Sequence, residues 1–221
     1  MPRPSAGSRT TPVAEEPRAL EHLKASGSAM AELIDTFGGP DAVRARRGPR
    51  PGDSYGTLVR AIVGQQLSTK AARTIYTRLE ERFGGRTPTP RELLETDPAD
   101  LRAVGLSGAK AAYLRDLAEH VEDGELDLER LAQLPDEQVI EQLTAVKGLG
   151  TWTAHMFMIF HLGRPDVLPV GDLGIRKAAQ ALTGGDALPT PSELEVLAEP
   201  WRPYRSLASL YLWRSLDNEP G

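Results

Sequence analysis

The sequence of 221 residues contains no cysteine. It therefore forms no disulfide and no zinc site built on thiolates, which are two common ways of stabilising a small fold. Long apolar runs are also missing, since no stretch reaches the roughly 20 residues that a bilayer-spanning helix needs. Because the start of the chain also lacks the apolar core of a signal peptide, we expect a cytoplasmic protein with no membrane partner.

Strand patterns are equally scarce. No run shows the alternation of apolar and polar residues that is typical of a strand, whereas apolar residues recur at helical spacing along most of the chain. The helices predicted in this way are Ala29–Phe37, Thr57–Gln66, Ala71–Phe83, Ala109–Val121, Asp136–Leu143, Thr151–His161, Gly174–Leu182, Pro191–Leu197 and Tyr204–Leu216. The sequence therefore predicts an all-α fold.

The first residues differ in composition from the rest. Residues 1–17 are polar and rich in proline, which is typical of segments that cannot bury enough apolar surface to fold. We therefore predict a disordered N-terminal tail over residues 1–18 and a folded domain over residues 19–221. A hydrophobic content of 40% is sufficient for the core of one domain or of two tightly joined lobes.

The sequence also has no excess of basic residues. The net charge is −5 and the isoelectric point is near 5.5, whereas proteins that bind nucleic acid usually carry a basic surface. The acidic residues are concentrated in one segment, however. Residues 91–142 contain 14 acidic and 5 basic residues, whereas the rest of the chain contains 17 acidic and 21 basic residues. These other residues could form a modest basic face, although each charge taken singly is better explained as a solvated surface charge. Its members would be Lys147, Arg164, Arg176, Lys177, Arg202 and Arg205.

The most informative segment is a glycine-rich turn near the middle of the chain. Gly148 and Gly150 flank Leu149, both glycines allow positive φ, and apolar residues at helical spacing stand on either side. This pattern predicts two helices joined by a tight turn, with amides at the start of the second helix that attract a phosphate. The turn carbonyls face the other way and could ligate a hard monovalent cation. A plain helix end followed by a new helix would produce the same glycines.

A second candidate is the aspartate at position 172. Asp172 directly precedes a segment with helical periodicity, so the simplest interpretation is that it caps a helix. The functional interpretation is compatible with capping. A carboxylate at a helix N-terminus is stabilised by the helix dipole, and in a cleft it can stabilise developing positive charge or orient a water.

Several sequence blocks, in this order, resemble the helix-hairpin-helix DNA glycosylase superfamily, and within it the alkylation-repair branch, 3-methyladenine DNA glycosylase II. The blocks are residues 60–68, 146–154, 162–177 and 201–213. The resemblance covers roughly residues 55–216 and implies two helical lobes, with a helix-hairpin-helix motif and a DNA-binding cleft between them near residues 143–177. The iron–sulfur cluster that some superfamily members carry is excluded here, because it needs cysteine.

The resemblance also implies roles for particular residues. It makes Asp172 the catalytic carboxylate and Gln66 the wedge that fills the gap left by a flipped nucleotide. It assigns the base pocket to Trp152, Met156 and Trp213, the DNA backbone contacts to Lys147, Gly148, Gly150, Thr151 and Thr153, and a structural Na⁺ or K⁺ to the backbone carbonyls of Thr144, Val146 and Leu149. No other cofactor is expected. Capping by Gln66 and core positions for the two tryptophans are the structural alternatives.

Trp152 also bears on the type of reaction. In superfamily members with lyase activity this position holds a lysine that attacks the sugar, so tryptophan implies a monofunctional enzyme. The implied function is the hydrolytic excision of alkylated purines, such as 3-methyladenine and 7-methylguanine, which are flipped out of double-stranded DNA in base excision repair. A non-catalytic DNA-binding module and a sibling glycosylase for oxidised or mismatched bases stay open. We expect a cytoplasmic monomer, associated with the nucleoid if it is bacterial.

Overall fold

The structure, a computed structural model, describes residues 16–44 and 52–216. These residues form thirteen α-helices and two short 3-10 turns, and no strand is assigned among them, which confirms the all-α prediction. The helices are α1 (Glu16–Ala25), α2 (Ser28–Phe37), α3 (Pro40–Arg44), α4 (Ser54–Gly64), α5 (Thr69–Arg82), α6 (Pro90–Glu95), α7 (Pro98–Ala103), α8 (Gly108–Glu122), α9 (Asp136–Ala145), α10 (Thr151–Phe160), α11 (Leu173–Thr183), α12 (Pro191–Leu197) and α13 (Arg205–Leu216). None of the described helices is long and apolar enough to cross a membrane.

The chain divides into two compact units, as the two predicted lobes require. The middle unit comprises residues 50–157, and the terminal unit combines residues 1–49 with residues 158–221. The cleft that the resemblance implies stays a prediction.

The middle unit has a leucine-rich core. Helices α6 and α7 pack on α8, and α4 packs on both α5 and α8. Leu58, Leu79, Leu93 and Leu114 are completely buried there. The starts of these helices are fixed because a side chain accepts a hydrogen bond from a first-turn amide at each of them. The capping residues are Asp53, Ser68, Thr89, Asp97 and Ser107.

The terminal unit joins helices from both ends of the chain. Helix α13 packs on α2, α3 and α11, and α1 packs on α2. Leu23, Ile34, Ile175 and Tyr211 are buried in one cluster, and the Tyr211 hydroxyl donates to the Gly38 carbonyl at 2.7 Å. The helices before residue 45 are therefore an integral part of the core that carries Asp172 on α11.

The boundary of the predicted tail was placed too late. Residues 1–15 lie outside the described residues, but residues 16–18 already belong to α1. This helix buries Ala19 and Leu23. The sequence did not predict this helix, because two buried apolar residues four positions apart are too few to show a helical repeat.

Candidate active site and DNA-binding hairpin

Residues 146–150 form the tight turn between α9 and α10, as the sequence predicted. Gly148 has φ +85°, which is costly for a residue with a side chain. A Cβ added to Gly148 would also clash with the ring of Tyr113. Glycine is therefore required at this position both by the backbone and by the packing of α8 against the turn.

Gly150 behaves differently, and the expectation of positive φ was wrong for it. Its carbonyl accepts the first α10 hydrogen bond, from the Ala154 amide at 3.0 Å, so Gly150 caps the helix. A Cβ added here would meet nothing within 4 Å. Because the protein itself does not require glycine here, the open space in front of the main chain is suited to close approach by a ligand.

Lys147, which was predicted to contact a phosphate, holds a carboxylate in this structure. Its Nζ and its backbone amide donate to the two carboxylate oxygens of Asp116, each at 2.8 Å. Burial raises the pKa of Asp116, whereas the hydrogen bonds from Lys147 lower it. The lowering is the larger effect, so the pKa of Asp116 lies below its ordinary value. In return, Asp116 raises the pKa of the Lys147 ammonium. Asp116 thus fastens the hairpin to α8.

The side chains at the start of α10 differ in exposure. Thr151 is exposed, as a backbone-contacting residue should be, whereas the predicted contact by Thr153 is limited to its amide because this residue is only 8% exposed. Trp152 is 52% exposed, so the core alternative is wrong for it. Met156 is half-buried one turn later on the same helix face. His155 lies between them, and burial lowers its pKa.

Gln66 occupies a strained turn between α4 and α5. It is exposed and has φ +56°, and among the described residues it alone has positive φ without being glycine. Such a conformation costs about 1–3 kcal/mol and is typical of functional positions. Gln65 occupies the C-cap position of α4, and Gln66 follows it in a turn that the Leu67 amide closes on the Gly64 carbonyl at 3.3 Å. Ending the helix therefore stays a structural alternative for Gln66. Its role as the wedge stays a prediction.

Gln65 ties this turn to the hairpin, a contact that the sequence analysis missed. Its Nε2 donates to the Gly148 carbonyl at 2.6 Å, across 83 positions of the chain. On the same, α4 side of the turn, the Lys110 ammonium donates to the Val63 carbonyl at 2.8 Å. The predicted wedge and the predicted phosphate clamp therefore share one hydrogen-bonded support. No local sequence signal identifies such a long-range pair.

Asp172 in the terminal unit is the N-cap of α11, as the simplest interpretation predicted. Its Oδ1 accepts a hydrogen bond from the Ile175 amide at 2.8 Å and another from the Trp213 indole Nε1 at 3.1 Å. A Cβ added to Gly174 would lie 3.0 Å from the same oxygen and 3.4 Å from the Trp213 ring. The carboxylate is half-buried and its orientation is set by these contacts.

Trp213, which was predicted to line the base pocket, is half-buried and stacks on Phe160 with 5.8 Å between the ring centroids. Since its indole N–H is directed at Asp172, its observed contacts are those of a residue that orients the carboxylate. This pairing was missed because residues 172 and 213 belong to different sequence blocks. An ionised carboxylate held in this way can stabilise positive charge that develops nearby.

Most of the predicted basic face is engaged within the protein. Arg205 and Arg202 donate to the carboxylate of Asp166, at 2.7 and 2.8 Å. Arg176 donates to the Pro189 carbonyl at 2.7 Å. Together with the Lys147 pair, these contacts show that the face consists mainly of structural cations rather than of free binding groups.

Metal binding by side chains has no support in the part of the chain that the structure describes, because no group of three or more His, Cys, Asp or Glu residues there could hold an ion. The predicted Na⁺ or K⁺ ligands are backbone carbonyls instead. Thr144 lies in the last turn of α9, and the Val146 carbonyl accepts from the Leu149 amide at 3.1 Å. A carbonyl oxygen has two lone pairs, so this hydrogen bond is compatible with ligation.

Residues 59–203 match the family model described as HhH-GPD superfamily base excision DNA repair protein. The chain belongs to this superfamily. The match contains the hairpin, the strained turn at Gln66 and the capped Asp172. The resemblance inferred from the sequence blocks is confirmed.

Individual members of the superfamily are similar along most of the chain. DNA-3-methyladenine glycosylase 1 of Schizosaccharomyces pombe is 36% identical over 198 residues, which is 89% of this chain and 84% of that protein. A solved structure of the 3-methyladenine DNA glycosylase Mag1 of the same yeast, in complex with abasic DNA, has a TM-score of 0.79 and 34% identity, and the match covers 90% of this chain and 97% of that one. The YfjP protein of Bacillus subtilis is 33% identical over 74% of this chain, which spans 59% of its length.

Proposed function

We propose that the protein is a monofunctional DNA glycosylase that hydrolyses the N-glycosidic bond of alkylated purines in double-stranded DNA, the first step of base excision repair. The observation that carries this proposal is the carboxylate of Asp172, held by Ile175 and Trp213 in a chain of the base excision repair superfamily. The names of the similar glycosylases support 3-methyladenine and related bases as substrates.

The middle unit would bind and distort the DNA. The amide of Thr151 and the open main chain at Gly150 receive a backbone phosphate at the α10 N-terminus. Gln66 fills the space of the flipped nucleotide. The exposed ring of Trp152, with Met156 one turn away, stacks on a purine that alkylation has made cationic, an attraction worth roughly 0.5–2 kcal/mol.

Asp172 would act on the sugar. Alkylation at N3 or N7 places a positive charge on the purine, so the base leaves with the bonding electrons of the N-glycosidic bond and is neutral once released. The sugar is left as an oxocarbenium-like cation, which the carboxylate stabilises. Water then adds to the anomeric carbon and loses a proton, so the DNA strand keeps an intact abasic site.

Two features support the absence of lyase activity. Position 152 holds tryptophan, which has no amine to form a Schiff base. Lys147, in the adjacent turn, is hydrogen-bonded to Asp116, which raises the pKa of its ammonium. A protonated amine is not a nucleophile, so this lysine is poorly suited to attack the sugar.

The accompanying expectations carry over as part of this proposal. The residues from Glu16 onward would act as one glycosylase domain, as a monomer, in the cytoplasm or on the nucleoid of a bacterium. A Na⁺ or K⁺ would bind the carbonyls of Thr144, Val146 and Leu149, on the side of the turn away from the phosphate. This ion would fix the turn without taking part in the chemistry.

Mass analysis of the bases released from DNA tests the function directly. Methylated genomic DNA should yield free 3-methyladenine or 7-methylguanine with the wild-type protein, and almost none with the Asp172→Asn variant. Binding of the DNA without any release of bases would support the non-catalytic module instead. Release from oxidised DNA but not from methylated DNA would support the sibling glycosylase.

A further inference from the structure

The exposed face of α5 carries cations directly after the strained turn. Lys70, Arg73, Thr74 and Thr77 are all exposed. Arg73 and Thr74 each lie three or four residues from both Lys70 and Thr77, so the four residues share one side of the helix. We name these four residues the α5 face. It begins four residues after Gln66.

The two cations of the α5 face differ from six other cations in the middle unit, which are engaged within the protein, whereas Arg78, Arg102 and Arg130 likewise make no side-chain hydrogen bond or ion pair with a described residue. Four of those six form ion pairs with carboxylates, and two donate to main-chain carbonyls. The ion pairs are Arg82–Asp100, Arg86–Glu92, Arg91–Glu122 and Lys147–Asp116, and the carbonyl contacts are made by Lys110 and Arg115. Lys70 and Arg73 make no side-chain hydrogen bond or ion pair with any residue that the structure describes.

Helix stability does not explain this placement. Lys70 lies in the first turn of α5, which contains no acidic residue, while Glu80 and Glu81 lie near the end of the helix. The helix dipole favours the opposite arrangement, by about 0.3–1 kcal/mol for each charge. A cation at this end adds to the positive potential of the helix N-terminus, which suits an anionic ligand.

We propose that Lys70 and Arg73 bind phosphates of the DNA strand opposite the damaged base. This inference rests on the proposed function. Gln65 ties one side of the strained turn to the hairpin, which would hold the damaged strand. Helix α5 leaves from the other side of the turn, after Ser68. A wedge at Gln66 therefore stands between two phosphate-binding elements, one for each strand.

The salt dependence of DNA affinity tests whether these cations bind phosphates. The variant Lys70→Ala/Arg73→Ala is compared with Arg18→Ala/Arg130→Ala, which removes the same charge from two other exposed arginines. Binding is measured on an undamaged duplex and on one with an abasic analogue. The α5 variant should lower the slope of log K against log salt by about 1.8, because each phosphate contact contributes about 0.9. The control should match the wild type.

Neutral phosphates identify the strand. Single methylphosphonates are stepped along either strand of the abasic duplex, and affinities are measured for the wild type and the α5 variant. On the opposite strand, a neutral phosphate should weaken wild-type binding severalfold and leave the variant almost unaffected. Equal losses for both proteins, or coupling confined to the damaged strand, would overturn the assignment.

These binding measurements do not depend on excision. If the wild type binds DNA with the expected coupling but releases no base, the proposed function fails and the α5 contact stands. If the wild type excises bases but the α5 variant and the control show the same slope, the α5 contact fails and the function stands.

Discussion

The carboxylate of Asp172 combines structure and proposed chemistry in one side chain. The capping bond to Ile175 and the indole bond from Trp213 both end on Oδ1. Capping and the proposed catalysis, which the sequence already allowed together, therefore involve the same carboxylate. They can be separated by substitution.

Replacing Asp172 with asparagine should abolish most excision without unfolding the protein. Asparagine caps helices as well as aspartate does, and its carbonyl can accept both hydrogen bonds. The neutral amide cannot stabilise a sugar cation, so the single-turnover rate of base release should fall by about 100- to 1000-fold. Thermal unfolding serves as the control. Excision within a few-fold of the wild type would remove Asp172 from the reaction.

Replacing Trp213 with phenylalanine tests whether this residue orients the carboxylate. The ring can still stack on Phe160, but the hydrogen bond to Asp172 is lost, which should cost about 1 kcal/mol of unfolding free energy. The excision rate should fall about tenfold while affinity for abasic DNA stays nearly constant. If instead Trp213 mainly lines the base pocket, the variant will change the preference for 7-methylguanine over the uncharged base hypoxanthine.

At the scale of elements, the hairpin contains two glycines with different reasons to be glycine. Gly148→Ala should destabilise the fold by more than about 2 kcal/mol, because the left-handed backbone and the Tyr113 ring both oppose a side chain. Gly150→Ala should cost no more than about 1 kcal/mol, yet weaken DNA binding roughly tenfold. Normal DNA binding by a folded Gly150→Ala variant would show that DNA does not approach this main chain.

The fastening of the hairpin to α8 should depend on pH. The folded-state pKa of Asp116 is lowered, so its contribution to stability is present above the ordinary carboxyl pKa near 3.9 and disappears as the pH falls through the lowered value. Asp116→Asn should therefore lower the unfolding free energy by about 1–2 kcal/mol at pH 7. The unfolding free energies of the two proteins, measured with denaturant, should still differ at pH 4 and converge only as the pH falls through the lowered pKa of Asp116. If the difference in unfolding free energy between the two proteins does not change with pH, the Asp116 charge does not stabilise the contact between the hairpin and α8.

The elements also show what the sequence could predict. Long helices such as α8 and α10 were found from their apolar spacing, and the turn between α9 and α10 from its glycines. Helices α6 and α7 have six residues each, too few for a period to show. The contacts of Gln65 and Asp116 lie 83 and 31 positions away in the chain. They depend on tertiary packing, which local patterns do not record.

The whole molecule has a net charge of −5, although DNA binding needs cations that can contact phosphates. Most cations of the predicted basic face contact carboxylates and carbonyls of the protein instead. The cations proposed to contact DNA lie on the α5 face. The middle unit carries the hairpin, Gln66 and Trp152, and the terminal unit carries Asp172 and Trp213. The residues proposed to bind DNA and the carboxylate proposed to act on the sugar thus belong to different units of one chain.

The most direct test of the account follows both products of one reaction. A labelled duplex with a single 7-methylguanine is incubated with the protein, and free base, strand breaks and adducts trapped by borohydride are measured in the same samples. The amount of released base should equal the number of alkali-labile sites, the strands should be unbroken before alkali, and no adduct should be trapped. Strand breaks without alkali, or a covalent adduct, would contradict the monofunctional mechanism, and the absence of free base would contradict glycosylase activity itself.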